Sequence, residues 1–143
     1  MYLKQYEHGR TFISKLGYNC DLLEELNKIC VDENIKAGSI SLIGAVSSLK
    51  LAFFDQVTKE YINTTYAYDE PMEIVSCSGN ISVKDGKPFC HVHLIAADRK
   101  GKCIGGHLVQ GTAIYAGEAV IQEYLGEDLV RELDDETKLT LWK

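Results

Sequence analysis

Residues 73–107, EIVSCSGNISVKDGKPFCHVHLIAADRKGKCIGGH, decide the architecture. They open with a long strand pattern, Glu73 to Val83, that stops at Lys84-Asp85-Gly86-Lys87. Asp-Gly supports the positive φ that a tight hairpin needs, so a turn is predicted there. Pro88 stands at the start of the return strand, where a missing N–H costs least. From Phe89 to Ala97 the chain alternates: Phe89, His91, His93 and Ile95 project one way, and Cys90, Val92, Leu94 and Ala96 the other. A second turn, Asp98-Arg99-Lys100-Gly101, leads into a further strand from Cys103 to Gln110.

Downstream, Ala113 to Glu123 reads as a last strand, followed by a polar tail with a short helical candidate near Leu129 to Leu133. Upstream there is one clear helix signal. Asp21 and Glu24 are spaced for a capping box, and Leu22, Leu23, Leu26, Ile29 and Cys30 then share a face. The helix is expected to run to about Asn34 and to end before Gly38. Tyr2 to His8 and Thr11 to Leu16 read as strands flanking a bend or hairpin turn at Gly9-Arg10. Ser39 to Gly44, Val46 to Phe54 and Tyr61 to Tyr68 complete the strand set. No linker, repeat or low-complexity stretch interrupts residues 1–143, so a single domain is expected.

The composition narrows the function classes. The chain has 143 residues, 45% apolar and 25% charged, enough to bury a core without disulfides. No apolar run approaches a membrane span, and Met1 to Arg10 lacks the apolar region of a signal peptide, so a cytoplasmic location is expected. The net charge is −6 and the cations are scattered. DNA binding relies on clustered cations that neutralise phosphates, so this chain is a poor candidate for binding duplex alone. The five cysteines, Cys20, Cys30, Cys77, Cys90 and Cys103, show no CxxC spacing and read as small buried hydrophobes. Cys90 or Cys103 is also a candidate nucleophile beside the histidines. There is no GxSxG elbow, phosphate-binding loop or dinucleotide fingerprint, and Ser76, Ser78 and Ser82 have no evident activating partner.

Three of the four histidines fall between positions 91 and 107. His91 and His93 share a strand face. If the chain folds back about Arg99-Lys100, residues whose numbers sum to about 198–200 lie opposite, roughly 5 Å apart, which brings His107 across from them. Three imidazoles so placed can converge on one ion such as zinc, leaving one coordination position open. The other reading is three half-buried histidines satisfied by carbonyls or water. Gly105 and Gly106 suit a bulge or a close approach of another group. Glu118, on a face with Ile114, Ala116 and Val120, is either a fourth ligand or acid/base, or an exposed or interface glutamate. His8 is assigned to the surface, Glu70 and Glu73 to the start of a strand. Tyr61, Tyr66 and Tyr68 are read as sheet-surface or interface aromatics.

Gly44-Ala45-Val46, residues 70–80 (EPMEIVSCSGN), Pro88-Phe89-Cys90-His91-Val92-His93 and Gly105-Gly106-His107-Leu108 together resemble the plants-and-prokaryotes conserved (PPC) domain, in its stand-alone prokaryotic branch. The resemblance covers nearly the whole chain in order. It implies an α+β fold, a mostly antiparallel β-sheet with one main helix packed on it, assembled as a homotrimer. It also implies a divalent metal, zinc being the expected one, on His91, His93 and His107. Plant members join this domain to AT-hooks; no Arg-Gly-Arg-Pro hook occurs here. The expected role is a metal-binding homotrimeric module for a protein partner or a small-molecule ligand. Two alternatives stand beside it: a metal-dependent hydrolase or lyase with Glu118 handling the proton, and a DNA-associated regulator.

Overall fold

Helix α1 (Leu22–Asp32) forms where the capping residue directs it. Asp21 is extended, and its Oδ1 accepts the backbone N–H of Glu24 at 3.0 Å, satisfying one of the free donors of the first turn. Its other oxygen accepts from Gly111 N at 2.6 Å, which ties the helix start to the loop before the last long strand. At the far end Asn34 takes φ 53°, the left-handed conformation that stops a helix. Leu22, Leu26 and Cys30, spaced by four, are fully buried and lie against β6.

The chain is a computed structural model describing residues 2–62 and 69–143. Its strands are β1 (Glu7–Lys15), β2 (Gly38–Ser48), β3 (Leu51–Asp55), β4 (Glu60–Ile62), β5 (Met72–Lys84), β6 (Lys87–Ala97), β7 (Cys103–Leu108), β8 (Ala113–Leu125), β9 (Arg131–Leu133) and β10 (Thr140–Trp142). The first eight form one sheet, ordered β1-β8-β2-β5-β6-β7-β3-β4, with every neighbouring pair antiparallel. β9 and β10 form a separate hairpin. This is a mostly antiparallel sheet with one short helix. The face toward α1 carries the core: Ile40 and Leu42 of β2, Cys77 and Ile81 of β5, Cys90, Val92 and Leu94 of β6, and Ile121 of β8. Among the described residues no helix is long and apolar enough to cross a membrane.

The hairpin turn at residues 84–87 is present, with Lys84 opposite Lys87 and Asp85 and Gly86 at φ 51° and 75°. Three expectations are corrected. Gly9-Arg10 is no turn, because β1 runs through it with a bulge between His8 and Thr11. Arg10 holds it there, its Nε donating to Glu123 Oε2 at 2.8 Å, and a Cβ on Gly9 would lie 2.9 Å from that same oxygen. Gly44 does not divide a strand, because without a Cβ it lets Ala116 O approach where one would sit 2.1 Å away. The division comes later, at Leu49 and Lys50, where the Thr112 hydroxyl accepts Lys50 N at 3.0 Å and donates to Lys50 O at 3.2 Å. The helical candidate near Leu129 to Leu133 ends in strand β9, held down by the buried Arg131. Of the predicted strand Tyr61 to Tyr68, Tyr61 and Ile62 belong to β4 and residues 63–68 lie outside the described residues.

Candidate metal centre

Alternation along β6 points His91 and His93 away from α1, to the opposite face of the sheet from Cys90 and Val92. β7 returns beside β6 with His107 directly opposite His93, within the predicted register, and no bulge intervenes. Gly105 and Gly106 serve close approach instead. A Cβ on Gly105 would fall 2.9 Å from Ile95 Cγ1, and one on Gly106 3.0 Å from Ala52 O of β3.

The three rings converge. Their centroids are 5.0 Å apart for His91–His93 and His91–His107, and 5.5 Å for His93–His107. One ligand nitrogen from each lies within 4.8 Å of the others. The Nε2 atoms of His91 and His93 stand 3.2 Å apart. Two nitrogens about 2.0–2.1 Å from a tetrahedral zinc are themselves separated by about 3.3 Å, so this pair has the spacing an ion requires. His107 Nδ1 is buried without a hydrogen-bond partner among the described residues. Burial, reinforced by the positive charges of its neighbours His107, Arg131 and His93, lowers the His91 pKa from 6.5 to about 4. Burial, then His93 and Arg131, lowers His107 likewise to about 4. Both rings are therefore neutral near pH 7, the form that binds metal.

Beside the triad is a cleft of about 770 Å³, lined among others by Phe54, Tyr61, Phe89, Lys84 and Arg131. The Tyr61 ring is 5.1 Å from that of His107. Arg131, only 8% exposed, donates to Ser82 Oγ at 2.6 Å, Asn80 Oδ1 at 2.6 Å and Thr140 O at 2.7 Å, and its Nη2 is 3.4 Å from His91 Nδ1. The rings of Phe89 and Trp142 face its guanidinium.

The remaining candidates stand apart from the triad. Glu118 is on β8, three strands from β6 and so at least about 14 Å away. Pairing slips between Ala45↔Ala116 and Val46↔Ile114, so Ile114 is buried while Ala116, Glu118 and Val120 are exposed together. Glu118 thus shares no face with Ile114. Cys30, Cys77 and Cys90 are buried as predicted, but Cys20 is half-buried and Cys103 exposed. Cys90 points to the core side, 3.4 Å from Cys30 Sγ, and that contact with burial pushes its thiol far up, so it is no nucleophile for the triad. His8 lies on the exposed surface against Tyr124. Sequence reasoning missed Arg131 and the place of Tyr61 in the cleft. The partners of Arg131 lie about fifty positions away on β5, a contact that no local pattern announces.

The profile of the Plants and Prokaryotes Conserved (PCC) domain matches residues 3–125. Among solved structures, a metal-containing protein from Archaeoglobus fulgidus superposes with TM-score 0.94 at 38% identity, covering 100% of this chain and 99% of that one. A plant- and prokaryote-conserved (PPC) protein from Pyrococcus horikoshii superposes with TM-score 0.92 at 31% identity, over 100% and 97%. A protein from Bacteroides thetaiotaomicron described as a candidate DNA-binding protein gives TM-score 0.85 at 27% identity, over 98% of each chain. A bifunctional GlmU protein from a Synechococcus strain is 34% identical over 119 residues; these are 82% of this chain but 18% of that protein, so the chain spans under a fifth of its length.

Proposed function

This chain belongs to the Plants and Prokaryotes Conserved domain family, and from that premise we propose that it is a metal-binding module holding one divalent ion on His91, His93 and His107. The observation that carries the reading is the 3.2 Å separation of the His91 and His93 Nε2 atoms. Two neutral imidazoles gain little from such contact unless one donates a proton to the other or an ion lies between them. Zinc is the ion we assign, since an all-imidazole set in tetrahedral spacing suits it. Three protein ligands leave a fourth position, where a bound ion would act as an electrophile toward a ligand's oxygen or nitrogen. The metal-containing relative from Archaeoglobus fulgidus supports this reading.

We assign ligand binding rather than turnover. A hydrolase or lyase would need a proton-handling group at the ion, and Glu118 is three strands away within the chain. A homotrimer is part of the same proposal. The sheet face opposite α1 exposes Ile13, Ile43, Val75, Ile95 and Val120, an apolar set that a free surface leaves poorly solvated. We place the protein in the cytoplasm and expect no tight binding to generic duplex, given a net charge of −6.

Metal analysis tests the core of the proposal. After equilibration with zinc and desalting, the protein should retain close to one ion per chain, and the His91→Ala, His93→Ala, His107→Ala triple variant none. Retention by that variant would place the metal elsewhere.

A further inference from the structure

Arg131 presents an unusual electrostatic situation. The residue is more than nine-tenths buried, yet every hydrogen-bond acceptor its guanidinium meets among the described residues is neutral: a serine hydroxyl, an asparagine amide, a backbone carbonyl and an imidazole. A buried cation is ordinarily paired with an acid. Burial depresses its pKa, but an arginine remains charged. Lys59 and Lys84 line the same cleft, and neither meets a carboxylate among the described residues: Lys59 donates to the Glu136 carbonyl and Lys84 lies over the Phe89 ring. Lys138 is the one lining cation with an acid beside it, Asp135, out on the exposed side. No aspartate or glutamate lines the cleft, and residues 63–68, NTTYAY, contain none. An acidic protein has thus collected four cations around one concavity and left the most buried of them without a counter-charge.

We propose that this cleft is a binding site for a small organic anion. Arg131 receives its carboxylate or phosphate group, Lys84 and Lys59 add charge at the rim, and a flat apolar body lies among Phe54, Tyr61 and Phe89. Three of its five N–H groups serve Ser82, Thr140 and Asn80, and the remaining two, one on each terminal nitrogen, suit the oxygens of a planar or tetrahedral oxyanion. Aromatic rings on the remaining walls suit an unsaturated ligand, since ring pairs prefer offset or edge-on contact over a few ångströms. The volume of about 770 Å³ holds a metabolite-sized molecule and is far too narrow for a folded partner. The inference deepens the metal-site reading because His91, His93 and His107 line the same cleft, so an acid group held there would lie beside the residues that would hold the ion. It does not depend on the ion, since the charge of Arg131 is present without it.

The test uses metal-free protein first and zinc-loaded protein second. Benzoate and phenyl phosphate are titrated while backbone amide NMR shifts are followed, with benzamide as the neutral counterpart of benzoate. At least one anion should give saturable shifts at Arg131, Tyr61 and Phe89 in metal-free protein, with benzamide at least about tenfold weaker. Arg131→Gln should weaken the anion about tenfold or more. Should that variant not fold, Lys84→Gln, at the half-buried rim, should weaken it severalfold, and added salt should do the same. The proposal is overturned if neither anion saturates by about 20 mM, well below ordinary metabolite affinity, if benzamide binds as well as benzoate, or if folded Arg131→Gln or Lys84→Gln binds unchanged. Anion binding by a protein that refuses zinc would sink the metal reading alone; zinc uptake without anion binding would sink this one alone.

Discussion

His91 and His107 make the stability of the metal-free protein depend on pH, and the direction follows from their environment. Both are lowered from 6.5 to about 4 in the folded chain. Between those values the unfolded chain binds protons that the folded chain excludes, so stability falls as pH drops through that window and levels off below about 4, where both states are protonated. Urea midpoints of metal-free protein should therefore be lower at pH 5 than at pH 7. A His91→Gln, His107→Gln variant should lose much of that difference, and an equally steep dependence in the variant would place the acid sensitivity elsewhere. The triad was legible in the sequence because two periodicities are strict: β6 alternates at two residues, and the turn fixes a register in which positions 93 and 107 face each other. Arg131 was not legible, because its meaning lies in contacts to Ser82 and Asn80 on a distant strand. Glu118 was misplaced for a related reason: one unpaired residue in β8 flips the parity of everything before it.

Among the elements, α1 carries predictions of ordinary size with distinct causes. Asp21 satisfies donors on both Glu24 and Gly111, so Asp21→Ala should cost about 1–2 kcal/mol in chemical denaturation. Leu26 is fully buried among the core side chains, and Leu26→Ala should cost about 2–5 kcal/mol. Gly44→Ala should be worse than its size suggests, because the new methyl would meet Ala116 O at 2.1 Å and the backbone there holds φ at 146°. A circular dichroism melt unchanged from wild type would contradict that account of β2. The helix and the β5–β6 hairpin were readable from local chemistry, a capping aspartate in one case and Asp-Gly in the other. The course of β1 through Gly9-Arg10 was not, because Glu123 and Glu33, which hold Arg10 in place, are remote in sequence. Strand β9 escaped for the same reason as Arg131 itself.

For the whole molecule, the exposed apolar face opposite α1 makes assembly the economical way to remove Ile13, Ile43 and Val120 from water. Light scattering should give three chain masses, and Ile13→Lys with Val120→Lys, a cross-strand pair on that face, should shift the protein toward monomer while leaving its fold intact. A wild-type monomer would remove the assembly claim without touching the histidine site. The central claim is the ion itself, and native mass spectrometry of zinc-equilibrated protein reads it directly. The account predicts the polypeptide mass plus one zinc for every chain in the particle, and loss of that increment when His91, His93 and His107 are all alanine. A wild-type particle that carries only the mass of its polypeptide would contradict it.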